Sequence, residues 1–303
     1  MSKRSKRKTE LFGKQISWER VRSIFENPSP PKSVWERQFD YCDDELRQLA
    51  STPYDEIDSS DLWYYFHDLA YADLQPDLFD YLFPVCLMDW HATLMNNEAC
   101  SHGDSEFHYG VHRGKIFEKM LSPQRQEKVT EFMRDCFMER LDVELKFAQL
   151  RNRAPTFCWI SRFNSLGIIL PKIDSIWNEW WSIDTPGRAI AVIQYCSGLM
   201  YFEGDCPLFK AFDGISPCLW ENDAWLCHAG WIDDNTNFLK RNLTVNFVND
   251  KVVQAVARLR GEPEFEKAQQ IENDLAECQE LMAARVEELP SLLRTPDAND
   301  WTV

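Results

Sequence analysis

The sequence predicts an α+β protein, with a mostly helical N-terminal domain followed by a mixed α+β domain and a long C-terminal helix. Three observations carry this expectation. Between Val34 and Leu150 apolar residues recur at helical spacing, and from Pro155 the texture shifts to β-branched and aromatic runs punctuated by Gly and Pro. After Gly261 the three-and-four spacing returns and persists to Leu289. With 303 residues and 44% hydrophobic content, the chain can bury one large core or two ordinary ones, which excludes a disordered or fibrous protein.

Residues 1–33 read as a basic tail and linker. Lys3, Arg4, Lys6, Arg7, Lys8, Lys14, Arg20 and Arg22 stand there against only Glu10 and Glu19. The segment NPSPPKS at 27–33 cannot continue a helix, because its prolines remove amide donors and restrict the residues before them. Residues 34–150 read as an acidic helical domain. Within it Pro76 opens an apolar stretch, and Pro84 should kink that helix or restart it as a second one through Trp90 and Leu94. Ser122-Pro123 is a helix start, a capping hydroxyl followed by Pro at the first helical position. Val129, Phe132, Met133, Cys136 and Phe137 then mark one buried face.

Residues 151–261 read as the α+β domain. AIAVIQYC (189–196), then Ser197-Gly198, then LMYFE fits a hairpin whose two-residue turn uses the positive φ open to glycine. NLTVNFVN (242–249) alternates Leu243, Val245 and Phe247 with Thr244 and Asn246, as a half-buried strand requires. Residues 262–303 comprise a helix from Pro263 to Leu289, ended by Pro290, and a tail. Its seam of Ile271, Leu275, Cys278 and Met282 is interrupted by Arg285, whose charge would be costly inside a coiled coil. The helix is therefore expected to pack on its own domain, and the chain to be monomeric.

DLWYYFHDL (61–69), DLFDYLFP (77–84) and LSPQRQEKVTEFM (121–133) together resemble a family of small, acidic, mostly helical bacterial proteins of unknown function. The resemblance spans residues 16–140. It implies a helical N-terminal domain, carries across no catalytic residue, and does not extend beyond Leu150.

Charge narrows the classes of partner. The chain carries 33 Lys and Arg against 49 Asp and Glu, a net −16. From Asp40 to Asp104 fifteen carboxylates face Arg47 alone. Such a surface disfavours nucleic acid phosphate and anionic membranes and suits a basic protein partner. Asp55, Glu56, Asp58 and Asp61 are the partner-binding candidates within this block. The basic segment Lys3–Lys8 reads as a nuclear address, a nucleic acid arm or a solvated tail. Ten Cys without a CxxC pair suit reduced thiols, and TELFGKQISWER, which follows the basic start, lacks the apolar core of a secretion signal. A cytoplasmic, non-membrane protein is expected.

Candidate chemistry is sparse. Cys100, His102, Asp104, Glu106, His108 and His112 form the densest set of potential ligands, and imidazole with carboxylate suits a divalent metal such as zinc. Gly110 and Gly114 argue against a rigid helical His pair, leaving a loop or strand to gather His102, His108 and His112, or a plain solvated loop. Cys196, Cys206, Cys218 and Cys227, with His228, read as core thiols, or as a nucleophile and base or a zinc site brought together by the fold. Asp233–Asn237 begins like a calcium loop but has Phe238 where an EF-hand needs Gly and Thr244 where it needs Glu, and so reads as a polar turn. The tryptophans around Trp177, Trp180 and Trp181 read as core or as a stacking platform for a sugar or base.

No GxGxxG, GxxxxGK[ST] or GxSxG occurs. The leading expectation is an interaction protein that binds a basic protein through its acidic helical domain, with no cofactor. Two alternatives stand beside it: a metal-dependent enzyme centred on His102, His108 and His112, and an acidic mimic of nucleic acid.

Overall fold

The computed structural model describes residues 15–35, 43–96, 102–147, 173–201, 205–208 and 233–292. Among these residues every regular element is helical and no strand occurs, so the expected α+β class is corrected to all-α. The chain divides into two compact units, Met1–Cys136 and Phe137–Val303, and the division falls within one helix.

The first unit contains α1 (Gln15–Ile24), α2 (Asp43–Ser51), α3 (Trp63–Tyr71), α4 (Pro76–Met95), α5 (His102–Arg113), α6 (Ile116–Lys119) and the first part of α7 (Pro123–Asp142). Two short 3₁₀ turns, Tyr54–Glu56 and Ser59–Leu62, lead into α3. Helix α4 is the centre. It buries nearly its whole circumference from Leu78 to Leu94 and continues through Pro84 without a second start, because burial on all sides outweighs one lost backbone bond. Phe25, Phe79, Phe83, Phe107 and Phe66 form a chain of ring contacts 4.7–6.3 Å apart that ties α1, α4, α5 and α3 together. Arg125 closes one side by donating to Asp80 at 2.8 Å while lying over the Phe25 ring.

Helices α3 and α5 approach closely at two glycines. A methyl on Gly110 would stand 2.6 Å from the Phe66 carbonyl oxygen, and one on Gly114 would overlap the Leu69 carbonyl. These glycines therefore mark a helix contact that needs their missing side chains, instead of the loop the sequence suggested. Pro28, Pro30 and Pro31 continue no helix, and the segment is pinned by Gln75, which donates to the Ser33 carbonyl and accepts from the Trp35 amide at 2.8 Å each.

In the second unit, the end of α7 is joined by α8 (Ile173–Trp180), α9 (Pro186–Met200), α10 (Asp233–Asn242), α11 (Val245–Arg258), α12 (Phe265–Asp274) and α13 (Gln279–Leu292). The expected hairpin is helix α9. Thr185 caps it by accepting from the Arg188 amide, Pro186 takes the first helical position, and all residues from Gly187 to Met200 are buried. An apolar run buried on every side loses the period that separates helix from strand, and only the cap and the run's length distinguish them.

The expected strand at 242–249 is also a helix start. Thr244 accepts from the Phe247 amide, and Val248, Val252, Ala255, Val256 and Leu259 line the buried face of α11. Asp233–Asn237 opens α10 instead of forming a turn, its two carboxylates favourably placed at the positive end of the helix dipole.

The single C-terminal helix is two. Helix α12 ends at Asp274, where the Tyr201 hydroxyl donates to the carboxylate at 2.7 Å. Gln279 opens α13 by donating to the Leu275 carbonyl and exchanging amide bonds with Asn249. Pro290 lies in the last turn of α13 and does not end it at Leu289. Ile271 and Met282 are fully buried as α12 and α13 pack on α9 and α11. Arg285, the residue that breaks the seam, donates to the Gly198 carbonyl of α9.

Candidate functional site

Part of the acidic block is buried or paired. Asp43 and Asp68 are buried, and so is Asp89 in α4. Asp80 is engaged by Arg125, and Asp44 by Arg47 at 2.6 Å. Asp58 is committed to structure, since its carboxylate accepts from both the amide and the hydroxyl of Ser60 and so caps the second 3₁₀ turn. Of the four candidates, Glu56 and Asp61 are exposed and Asp58 is half-buried. Asp55 lies in the first 3₁₀ turn, its side chain outside the described ones. Asp73, just past the end of α3, is also exposed.

In the chain, Asp61 precedes and Asp73 follows an aromatic face on α3 by two residues each. Trp63, His67 and Tyr71 are spaced four apart on α3 and so share one face. Trp63 is 41% and Tyr71 43% exposed, while Tyr65, Phe66 and Leu69 fill the opposite, buried side. His67 stacks obliquely on Tyr71 at 4.8 Å, and the Tyr71 and Tyr109 hydroxyls are 2.7 Å apart. The Arg113 guanidinium lies over the Tyr71 ring at 5.3 Å. Behind the first 3₁₀ turn, Tyr54 packs edge-on to Trp18 and against Tyr81, with Arg22 over its face. Burial pushes the Tyr54 hydroxyl above its ordinary range, so it stays neutral. The turn that displays Glu56 thus rests on packed rings. The aromatic face was not read from the sequence, although its signal was the four-residue spacing of Trp63, His67 and Tyr71.

His102, His108 and His112 all lie on α5, not on a loop or strand. His108 and His112 share a helix face, His108 buried and His112 half-buried, while His102 precedes His108 by six residues and its side chain is outside the described ones. Among the described residues no group of three or more His, Cys, Asp or Glu is placed to hold a metal ion. Trp177, Trp180 and Trp181 are core residues.

Cys196 and Cys206 are buried, whereas Cys218, Cys227 and His228 lie outside the described residues. Burial raises the Cys86 and Cys196 thiols well above the ordinary range and withholds the thiolate. Cys278, at the break between α12 and α13, is the most accessible described thiol. A thiol reagent at mildly alkaline pH should therefore modify Cys278 before Cys86 or Cys196, which react only as the fold opens. Mass mapping over time checks the order, and equal rates at Cys278 and Cys196 would contradict the packing of α9.

No helix among the described residues is long and apolar enough to cross a membrane. No family model matches the chain, and neither does any curated protein or solved structure.

Proposed function

We propose that the protein is a cytoplasmic interaction protein whose acidic helical unit binds a basic protein partner. One observation carries the reading: Glu56 and Asp61 are exposed on turns anchored by the Tyr54 ring packing and by the Asp58 cap, and exposed Trp63 follows Asp61 by two residues. Carboxylates held at fixed positions steer a cationic partner and fix its register, and an adjoining aromatic surface supplies the contact area that charge alone lacks. The free thiols at Cys86, Cys196 and Cys278 suit a reducing compartment.

Charge reversal tests this. An oligolysine peptide should bind the full chain at low salt and lose affinity as ionic strength rises, since exposed charges are screened beyond about 8 Å at physiological salt. The variant D55K/E56K/D61K, which leaves the Asp58 cap in place, should weaken that binding at least about tenfold. Its melting temperature should move little, because Glu56 and Asp61 are exposed and substitutions at such positions cost within about 0.5 kcal/mol each. Unchanged peptide affinity in a folded variant would overturn the reading.

A further inference from the structure

We propose that Tyr71 and Tyr109 are an oxidative modification site, at which a one-electron oxidant joins the two rings through a carbon–carbon bond and staples α3 to α5. The inference does not depend on the partner proposed above. The two hydroxyl oxygens are 2.7 Å apart at the surface, while the ring centroids stand 6.1 Å apart with their planes inclined at 48°. The rings therefore converge at their hydroxyl ends, which brings together the ring carbons beside the hydroxyls. Tyr71 is 43% exposed and Tyr109 is half-buried, so an oxidant in solution reaches the pair. The helices that carry them are fixed at close range, since Gly110 and Gly114 leave no room for a methyl against the Phe66 and Leu69 carbonyls.

Each tyrosine gives one electron to the oxidant and its hydroxyl proton to water, leaving a neutral phenoxyl radical whose unpaired electron is shared with the carbons beside the hydroxyl. One such carbon from each ring forms the new bond. The hydrogen on each of these carbons then moves to the oxygen of its own ring, which restores both aromatic rings and both hydroxyls. The protein loses two electrons and two protons, and two equivalents of oxidant are reduced. The Arg113 guanidinium, 5.3 Å over the Tyr71 ring, disfavours a ring cation, so the proton must leave with the electron. An exposed hydroxyl bonded to a second hydroxyl allows this. Tyr54 and Tyr81 show why proximity alone is not sufficient. Their rings are closer, at 4.5 Å, yet Tyr81 is buried with its hydroxyl donating to the Thr52 carbonyl, and burial holds the Tyr54 hydroxyl neutral. At Tyr71 and Tyr109 the reacting carbons are held within one molecule, so they couple before either radical meets a second chain.

Photogenerated ruthenium(III) tris-bipyridine, with persulfate as the final electron acceptor, is a small one-electron oxidant that tests this on the dilute full chain. Brief exposure should give a dityrosine-fluorescent monomer lighter by two hydrogen atoms. Peptide mapping should find at least about ten cross-links between Tyr71 and Tyr109 for each one at any other tyrosine pair. Tyr71→Phe and, independently, Tyr109→Phe should each remove that product, with a circular dichroism melt verifying the fold. Gly114→Ala, which keeps both tyrosines but forces α3 away from α5, should lower its yield about threefold. The cross-link joins residues 38 apart in the chain and so should raise the melting temperature of the first unit by roughly 5–10 °C. Cross-links that map chiefly to other tyrosine pairs, or that join separate chains while the monomer stays unlinked, would overturn the site. Absence of any cross-link after oxidation would do the same. A Tyr71–Tyr109 product that melts with the unmodified chain would overturn the staple.

Discussion

Trp180→Ala should cost the second unit about 3–5 kcal/mol of stability, the range for removing a fully buried large aromatic side chain. Trp180 is entirely shielded from solvent. Its ring lies 5.1 Å from Trp181, 5.6 Å from Tyr195, 6.0 Å from Trp177 and 6.3 Å from Phe137. Tyr195 projects from α9 into this cluster, and Phe247 of α11 stacks on Trp177 and packs on Trp181. Side chains of α7, α9 and α11 therefore join those of α8 in one cluster, and truncating Trp180 leaves a hollow whose walls are rings held by other rings. Such a site collapses poorly, which places the loss at the upper end of the range. Guanidinium unfolding, with hydrogen exchange on α9 and α11, measures the effect. Trp35→Ala, at a 52% exposed position, should change little. A loss below about 1 kcal/mol at Trp180 would mean that the cluster is not the core of this unit.

The contrast between α7 and α9 explains what the sequence discloses. Ser122-Pro123 and the spacing from Val129 to Phe137 are legible because α7 buries one face and wets the other, so its period survives in the text. Helix α9 is buried all round. Ile190, Val192 and Ile193 therefore imitate a strand, and Ser197-Gly198 imitates its turn. At Thr244 the alternation Leu243, Val245, Phe247 crosses a helix start, where a cap reads locally as a polar strand position. The break at Leu275–Cys278 depends on Asn249 and Tyr201, residues distant in sequence that no local pattern joins to it. For the candidate site, the charge of the acidic block was legible but its distribution was not. Burial of Asp68 and the Asp80–Arg125 pair are tertiary facts. The aromatic face of α3 was present as a spacing, and it takes on meaning only when Trp63 and Tyr71 are seen to lie outside the core.

Gly114→Ala should destabilise the first unit by about 2–3 kcal/mol, more than Gly110→Ala, by the overpacking of one methyl into a closed helix contact. The added carbon at Gly114 would overlap the Leu69 carbonyl oxygen and lie 3.0 Å from the Leu69 carbonyl carbon and 2.9 Å from the Gly110 carbonyl oxygen. All three are backbone atoms, so no rotamer change relieves the overlap, and α3 must move away from the end of α5. At Gly110 the neighbours are the Phe66 carbonyl oxygen at 2.6 Å and the Leu69 Cβ at 3.1 Å, a milder conflict. Displacing α3 also displaces the face it presents, since Tyr71 is held by the Tyr109 hydroxyl and the Arg113 guanidinium, both from α5. Gly114→Ala should therefore loosen the Tyr71 contacts with Tyr109 and Arg113 as well as lower thermal stability. Gly261→Ala is the matching control for backbone effects. Gly261 has φ +89° with open space around its Cα, so its substitution costs conformational strain without pushing on any neighbour. Thermal melts of the three variants, read with hydrogen exchange across α3 and α5, decide the point. Full protection of α3 in Gly114→Ala would show that the helix contact accommodates a methyl and that α5 does not fix the position of α3.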